Sequence, residues 1–211
     1  MSIVPSNLQH APDYAWEVAT LFPQQGYWSE EEYLSLTDST NARVEFVDGR
    51  LEFLEMPTEI HEELLELLYE ALKAFVTDRQ LGKVRFSGIR VRTLPGKTRR
   101  PDVVFLSKDN FNLRHNRDWD GIDLAVEIVS DDPKDRKRDY EEKLAEYAAA
   151  GIAEYWIVDY QDRVVTVNKL VGDQYAEQCR FTSGDQATSV LLDGFSIDVK
   201  ELFEAADKLA D

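Results

Sequence analysis

The sequence is poor in the residues from which most redox and transition-metal sites are built. Its 211 residues include one cysteine, Cys179, and three histidines, His10, His61 and His115. A lone cysteine excludes an internal disulfide and any cysteine-based zinc site. Cys179 reads as a small core or strand residue rather than a nucleophile. Three scattered histidines argue against a histidine-rich metal centre. No apolar run approaches the length that spans a bilayer, and no basic-then-apolar leader opens the chain. The expectation is a soluble, cytoplasmic protein with no membrane partner. Positive charge is also scarce: 24 Lys and Arg stand against 41 Asp and Glu, a net charge of −17. Taken whole, that balance opposes nucleic-acid binding, which relies on Lys and Arg to meet phosphates.

What is present suits one globular domain. Hydrophobic residues make up 43% and charged residues 31%, enough apolar content for a real core. Residues 1–25, with Pro5, Pro12 and Pro23, read as an irregular N-terminal arm, and residues 26–211 as a single domain. Within it, "SEEEYLSL" predicts a short helix capped by Ser29, with Glu32 at the capping-box position. "RVEFVDGRLEFLE" predicts a hairpin turning at Asp48-Gly49. Residues 58–78 predict a long amphipathic helix, capped by Thr58, with Ile60, Leu64, Leu67, Leu68, Ala71, Leu72 and Phe75 as its stripe. Strands follow in "KVRFSGIRVRTL", "PDVVFLS" and "DLAVEIVS". A polar connection over 131–138 leads to a helix, "DYEEKLAEYAAA", ended by Gly151. Strands "AEYWIVDY", "RVVTVNKL" and one near "YAEQCRF" precede a last helix, "VKELFEAADKLA". The class is α/β, or α+β, around one mixed sheet.

The scarce positive charge is clustered. From Arg79 to Arg100 there are eight basic residues and no acid, among them Arg90, Arg92, Arg99 and Arg100. A second cluster holds Lys134, Arg136, Lys137 and Arg138. Each is either a solvated face or a basic rim around a site on an acidic body.

Two acids stand in apolar company. Asp102 opens the run Val103-Val104-Phe105-Leu106, and Glu127 sits inside "DLAVEIVS". The two runs are joined by residues 108–123, so neighbouring strands would bring both acids onto one face. A buried ionised carboxylate is costly, and two facing carboxylates repel unless a cation lies between them. A divalent ion such as Mg²⁺ resolves both problems with oxygen ligands and water, and that is the chemistry of metal-assisted phosphodiester hydrolysis. The alternative is structural, with Asp102 pairing to Arg99 or Arg100 and Glu127 to a nearby base. Glu45, flanked by Val44 and Phe46, is a third acid that is either a site residue or the exposed side of an alternating strand. Lys143 and Tyr147 lie one turn apart on a helix. Lys143 either offsets charge at a metal site or pairs at the surface with Glu142 or Glu146.

Several segments together resemble one family. "RVEFVDGRLEFLEMPTEIH", "RPDVVFL", "LAVEIVSDDPKDRKRDYEEKLAEYAAAGIAEYWIVD" and "LLDGFSIDVKELF", spread over residues 27–204, look like the Uma family of putative restriction endonucleases, within the PD-(D/E)XK nuclease superfamily. The resemblance implies a restriction-endonuclease-like fold, a central mixed sheet flanked by helices. It implies that Asp102 is the PD aspartate, Glu127 the second acid and Glu45 an acid from the N-terminal part of the core, all three being metal ligands and catalytic. The superfamily's lysine normally stands two residues after the second acid, where this chain has Val129. Lys143 resembles the lysine that this family carries on the following helix. His61 matches a histidine typical of the family, and His61 and Tyr147 are candidates for orienting substrate. Asp159 reads as structural.

On that footing the expected function is a Mg²⁺- or Mn²⁺-dependent endonuclease hydrolysing DNA, with Arg90, Arg92, Arg99, Arg100, Lys134 and Lys137 on the phosphate backbone. A homodimer is expected by analogy with one-site nucleases that cut both strands. The −17 charge favours a second reading, a nuclease fold serving as a binding or assembly module with weak or no catalysis. A third is a structural homo-oligomer with no nucleic-acid partner.

Overall fold

The computed structural model describes residues 22–40, 42–86 and 88–209. Most of the expected N-terminal arm, residues 1–21, lies outside them, His10 included. Helix α1 (Glu30–Asp38) starts with a complete capping box between Ser29 and Glu32, two orphan amides satisfied reciprocally. Strands β1 (Val44–Val47) and β2 (Arg50–Phe53) form the expected hairpin. Asp48 and Gly49 both take positive φ, 48° and 78°, as a two-residue turn of this kind requires. A Cβ on Gly49 would stand 2.6 Å from the Gly26 carbonyl oxygen, so glycine is needed there for space as well as conformation. Gln25 closes the outer edge of β2, with its amide bonded both ways to the Leu51 backbone.

Helix α2 (Glu59–Asp78) is capped by Thr58, which accepts from the His61 amide. Strands β3 (Gly82–Phe86), β4 (Arg90–Leu94), β5 (Lys97–Arg99) and β6 (Val103–Ser107) follow. A short 3-10 segment and β7 (Asp118–Trp119) lead to β8 (Leu124–Val129). The stretch expected as a polar connection is already helical: α3 (Pro133–Lys137) starts on Asp132, which caps it, with Pro133 pre-set for the first turn. A π-helical turn over Arg138–Glu142 joins it to α4 (Lys143–Ala149). Ala150 and Gly151 end the helix, Gly151 with φ 75°. The chain closes with β9 (Glu154–Asp159), β10 (Val164–Val171), β11 (Gln174–Phe181), β12 (Gln186–Thr188), β13 (Ser196–Asp198) and α5 (Val199–Asp207).

The central mixed sheet has six strands in the order β11-β10-β9-β8-β6-β3. Strands β8 and β9 are parallel, joined by the α3–α4 crossover, and the other pairings are antiparallel. All six residues of β8 and of β9 are buried, which explains their near-continuous apolar runs. One face carries Val103, Phe105, Val126, Ile128 and Trp156 against α2 and α5. The other carries Val104, Leu106, Ala125 and Val129 against Tyr147 of α4 and Trp119. No helix is long and apolar enough to cross a membrane among the described residues.

Two features depart from the single mixed sheet that the sequence suggests. The hairpin strands do not join the central sheet; they form a second, five-stranded sheet in the order β2-β1-β5-β4-β7. A third, two-stranded sheet pairs β12 with β13. Cys179 is exposed on the edge strand β11, a strand residue but not a core one.

Candidate active site

The β6–β8 pairing places the two isolated acids. Val103 faces Val126 across the antiparallel ladder, so the next position sets Asp102 beside Glu127. Both fall on the sheet face that α4 covers, because side chains alternate along a strand. Glu127 is fixed at both oxygens: the Tyr147 hydroxyl donates to Oε1 at 2.6 Å, and Lys143 Nζ stands 2.9 Å from Oε2. Asp102 Oδ2 accepts from the Ile128 amide at 2.8 Å and lies 3.3 Å from His61 Nε2. Its Oδ1 is 3.7 Å from Arg43, beyond hydrogen-bond reach. Asp102, Glu127 and Lys143 are 5%, 4% and 2% exposed.

Lys143 is not a surface partner of Glu142 or Glu146. The π-helical turn before it brings Asp139 under the same ammonium, at 3.0 Å, while Glu45 stands at 3.9 Å. Such turns recur at functional sites because they re-aim side chains without ending a helix. The Asp139 side chain lines the same cavity as Asp102, Glu127 and Lys143. Sequence reasoning missed it. The available signal was its place four residues before Lys143, on one helical face.

The electrostatics separate these acids. Burial raises the pKa of Glu45, but Lys143, Arg99 and the Arg100 amide outweigh it and hold Glu45 down at about 2. Burial also works against ionised Asp102, yet His61, the Ile128 amide and Lys143 keep it below the usual carboxylate range. Glu127 goes the other way. Burial, then repulsion from Asp139, Asp102 and Glu45, overcome Lys143 and push it up to about 8. Asp139 is raised as well, chiefly by burial. Burial would make Lys143 easier to deprotonate, but Asp139, Glu127 and Glu45 hold it charged. His61 is raised by its bond to Asp102 against the opposing effect of burial.

Glu45 belongs to a neighbouring network. It lies opposite Arg99 between β1 and β5, and Arg99 Nη1 donates to it at 2.9 Å. Arg99 also grips Glu146, at 2.8 Å through Nη2, and Glu52 at 2.9 Å. Arg99 is therefore buried between the carboxylates of the β1–β2 hairpin and Glu146 of α4 and is not available to a phosphate backbone. The same correction applies to Arg90, buried on Asp38 and Thr37. Arg92 is engaged by Glu30, Asp118 and Asp120. The acid-free stretch in sequence is thus largely neutralised in space by acids from elsewhere. Tyr147 is fully buried and positions Glu127 rather than touching a substrate. Arg100 and His61 do line the cavity, joined by Arg43 and Arg138, which sequence reasoning did not select. Lys134 and Lys137 are exposed on α3.

Among the described residues no three His, Cys, Asp or Glu side chains converge as a ready-made metal cluster. Glu45 is separated from Glu127 by Lys143 and does not stand on the cavity wall. The donor set that remains still fits a hard divalent cation. Asp102 and Glu127 offer carboxylate oxygens from adjacent strands. Asp139, on the same cavity, adds a third carboxylate, its Oδ1 held at 3.0 Å by Lys143 Nζ. One or two carboxylates with water and substrate phosphate are the usual company of Mg²⁺.

Comparison with known proteins agrees with this architecture. The model of the Uma2 family, described as "Putative restriction endonuclease", matches residues 30–200. Among matching solved structures is a protein titled as a putative nuclease belonging to DUF820, from Anabaena variabilis. It is 16% identical, with a TM-score of 0.69 over 83% of this chain and 97% of that one. At that identity the likeness shows a shared fold. A search of curated proteins returns no match.

Proposed function

The chain belongs to the Uma2 family of putative restriction endonucleases, and on that premise we propose that it is a divalent-metal-dependent endonuclease acting on DNA. One observation carries the reading: Asp102, Glu127 and Lys143, from three separate segments, meet in one buried cavity. A Mg²⁺ or Mn²⁺ ion held by Asp102 and Glu127 would supply Lewis acidity and an activated water. The chain's own groups do the rest. Lys143, held on Glu127 and Asp139, places a fixed positive charge where a phosphate gains negative charge. Tyr147 fixes the rotamer of Glu127, and His61 with the Ile128 amide fixes Asp102. Arg43, Arg100 and Arg138 on the cavity, with Lys134 and Lys137 outside it, draw the phosphates in. Glu45 acts on Lys143 from behind and stays ionised at any working pH.

The test is a nicking and gel-shift assay on the wild type and Asp102→Ala with EDTA, Ca²⁺ and Mn²⁺. Cleavage is expected only in wild type with Mn²⁺ or Mg²⁺. Ca²⁺ is expected to support binding with little cutting, because its looser coordination places water less well. Cleavage that persists in EDTA, or in purified Asp102→Ala, would falsify the metal-nuclease reading. A second reading is favoured by Lys143 Nζ standing on both Glu127 and Asp139, with no ready-made metal cluster among the described residues: a nuclease fold that binds without cutting. Metal-dependent DNA binding by wild type with no cleavage under any divalent ion would establish it.

A further inference from the structure

We infer that the cavity takes an unpaired nucleotide, so that the enzyme acts on single-stranded segments or strand ends rather than on continuous duplex; this rests on the nuclease reading above. The first ground is depth. Asp102, Glu127 and Lys143 are almost inaccessible on the floor of a cavity of about 290 Å³. That volume lies at the lower edge of small-ligand pockets, about 300–1,000 Å³. A duplex presents its phosphates on the outside of a stiff rod with the bases stacked inward. It meets an open groove well and reaches side chains recessed as far as these poorly. A nucleotide with its base out of the stack passes where the rod does not.

The second ground is chemical asymmetry of the wall. One side is the loop between β2 and α2, which presents Leu54, Met56 and Pro57, continued by Ile60 at the start of α2. Met56 is 86% exposed. Exposed apolar side chains at the mouth of a charged site are unexplained by folding. They supply what a base face needs, because a base stacks on apolar or aromatic surface without regard to sequence. The same lining also carries three arginines: Arg43, whose carbonyl accepts from the Leu54 amide at 2.9 Å, Arg100 and Arg138. Arg100 has a buried Nε with no hydrogen-bond partner among the described residues, a donor fit for a phosphate oxygen. A base on the apolar lip with its phosphate on the neighbouring arginines uses both kinds of lining at once.

The third ground is net charge. A duplex footprint draws on many Lys and Arg contacts along both strands. Here Arg90, Arg92 and Arg99 are spent on Asp and Glu partners, on a chain of net charge −17. One or two phosphates, held locally by Arg43 and Arg100 with Arg138 beside them on Asp135, require far less.

The test measures binding by fluorescence anisotropy in Ca²⁺, using labelled oligonucleotides of one length. The four probes are a single strand, a blunt duplex and duplexes with a 3′ or a 5′ overhang. The single strand and at least one overhang are expected to bind about tenfold or more tightly than the blunt duplex. Met56→Ser should weaken single-strand binding severalfold, and Met56→Trp should tighten it severalfold, since a base stacks well on an aromatic platform. Val171→Ser, exposed on the sheet edge outside the cavity, serves as the control and should change nothing. Blunt duplex bound as tightly as single strand overturns the inference while leaving the nuclease reading intact. So does a Met56 pair that leaves single-strand affinity unchanged. Failure of every oligonucleotide to bind in Ca²⁺ or Mn²⁺ overturns both.

Discussion

Replacing Arg99 with methionine distinguishes the structural role from the one its sequence position suggests. In the fold, the guanidinium is the shared partner of Glu45 and Glu146, both almost fully buried, and of the half-exposed Glu52. Methionine keeps the aliphatic length and removes the charge. Breaking a buried pair by deleting one partner costs about 3–5 kcal/mol, because the other charge is left uncompensated. The loss should not double for two carboxylates. Glu45 keeps the Arg100 amide and, at 3.9 Å, Lys143; Glu146 keeps Thr93 and, at 3.8 Å, Lys97. Either acid can also take up a proton rather than remain charged. Against a domain stability of about 5–15 kcal/mol, that is a large fraction. At this chain length about 2–4 °C is lost per kcal/mol, so the melting point should fall by ~6–20 °C. The effect should depend on pH with a definite sign. Glu45 is depressed to about 2 in the fold, against ~4.3 in an unfolded chain. Its contribution is complete above the unfolded value and disappears as pH falls through the folded one. The gap between wild type and Arg99→Met should therefore be widest near neutrality and narrow between about pH 5 and 2. Urea unfolding at pH 7 and pH 4 measures it. A variant as stable as wild type at pH 7, but impaired in DNA binding, would refute the argument and return Arg99 to the phosphate-contacting surface.

Three further outcomes follow from the site. Lys143→Met should abolish cleavage while Mn²⁺ affinity is kept or improved, because a cation competing for Glu127 and Asp139 is gone; loss of Mn²⁺ binding, measured by calorimetry, would show that Lys143 organises the ligands instead. Tyr147→Phe removes one hydrogen bond to buried Glu127, worth about 0.5–1.5 kcal/mol; it should lower kcat more than substrate affinity, and an unchanged kcat would free Glu127 from that constraint. Glu127, pushed up to about 8 by burial and by its acidic neighbours, must lose its proton to hold a cation. Mn²⁺ affinity should then rise as pH climbs toward and past that value, with proton release visible as buffer-dependent heats; binding that is flat from pH 6 to 9 would exclude Glu127 as a ligand.

Some of this was legible in the chain because burial leaves a mark on sequence. Strands β6 and β8 sit in the middle of a sheet covered on both faces, so they had to be apolar runs, and a single acid in each stood out. The hairpin, the two long-helix caps and the β8–β9 crossover were signalled by turn and cap chemistry that acts over a few residues. What was not legible depends on partners distant in sequence. Arg99 has the same local signature whether it faces solvent or the interior. Its fate is decided by β5, a three-residue strand between β1 and β4, and by Glu146 on a helix 47 residues away. The turn Pro95-Gly96, with Gly96 at φ 80°, was the one local hint that this strand existed. Asp139 was hidden for the opposite reason. An acid amid Lys, Arg and Asp reads as part of a solvated helix face, and nothing local announces the π-helical turn that swings it under Lys143. The acids that sequence reasoning could find were those set among apolar residues. Those it could not find were set among charges, where the fold alone decides which ion pairs are made. That division bears on how the site is balanced: Asp102 and Glu127 are fixed by the strands that carry them, whereas Lys143, Asp139 and Arg138 sit on a distorted helical segment. If a metal and a phosphate bind as proposed, the two strand acids are held by the sheet, and any rearrangement falls to the helical cations and Asp139.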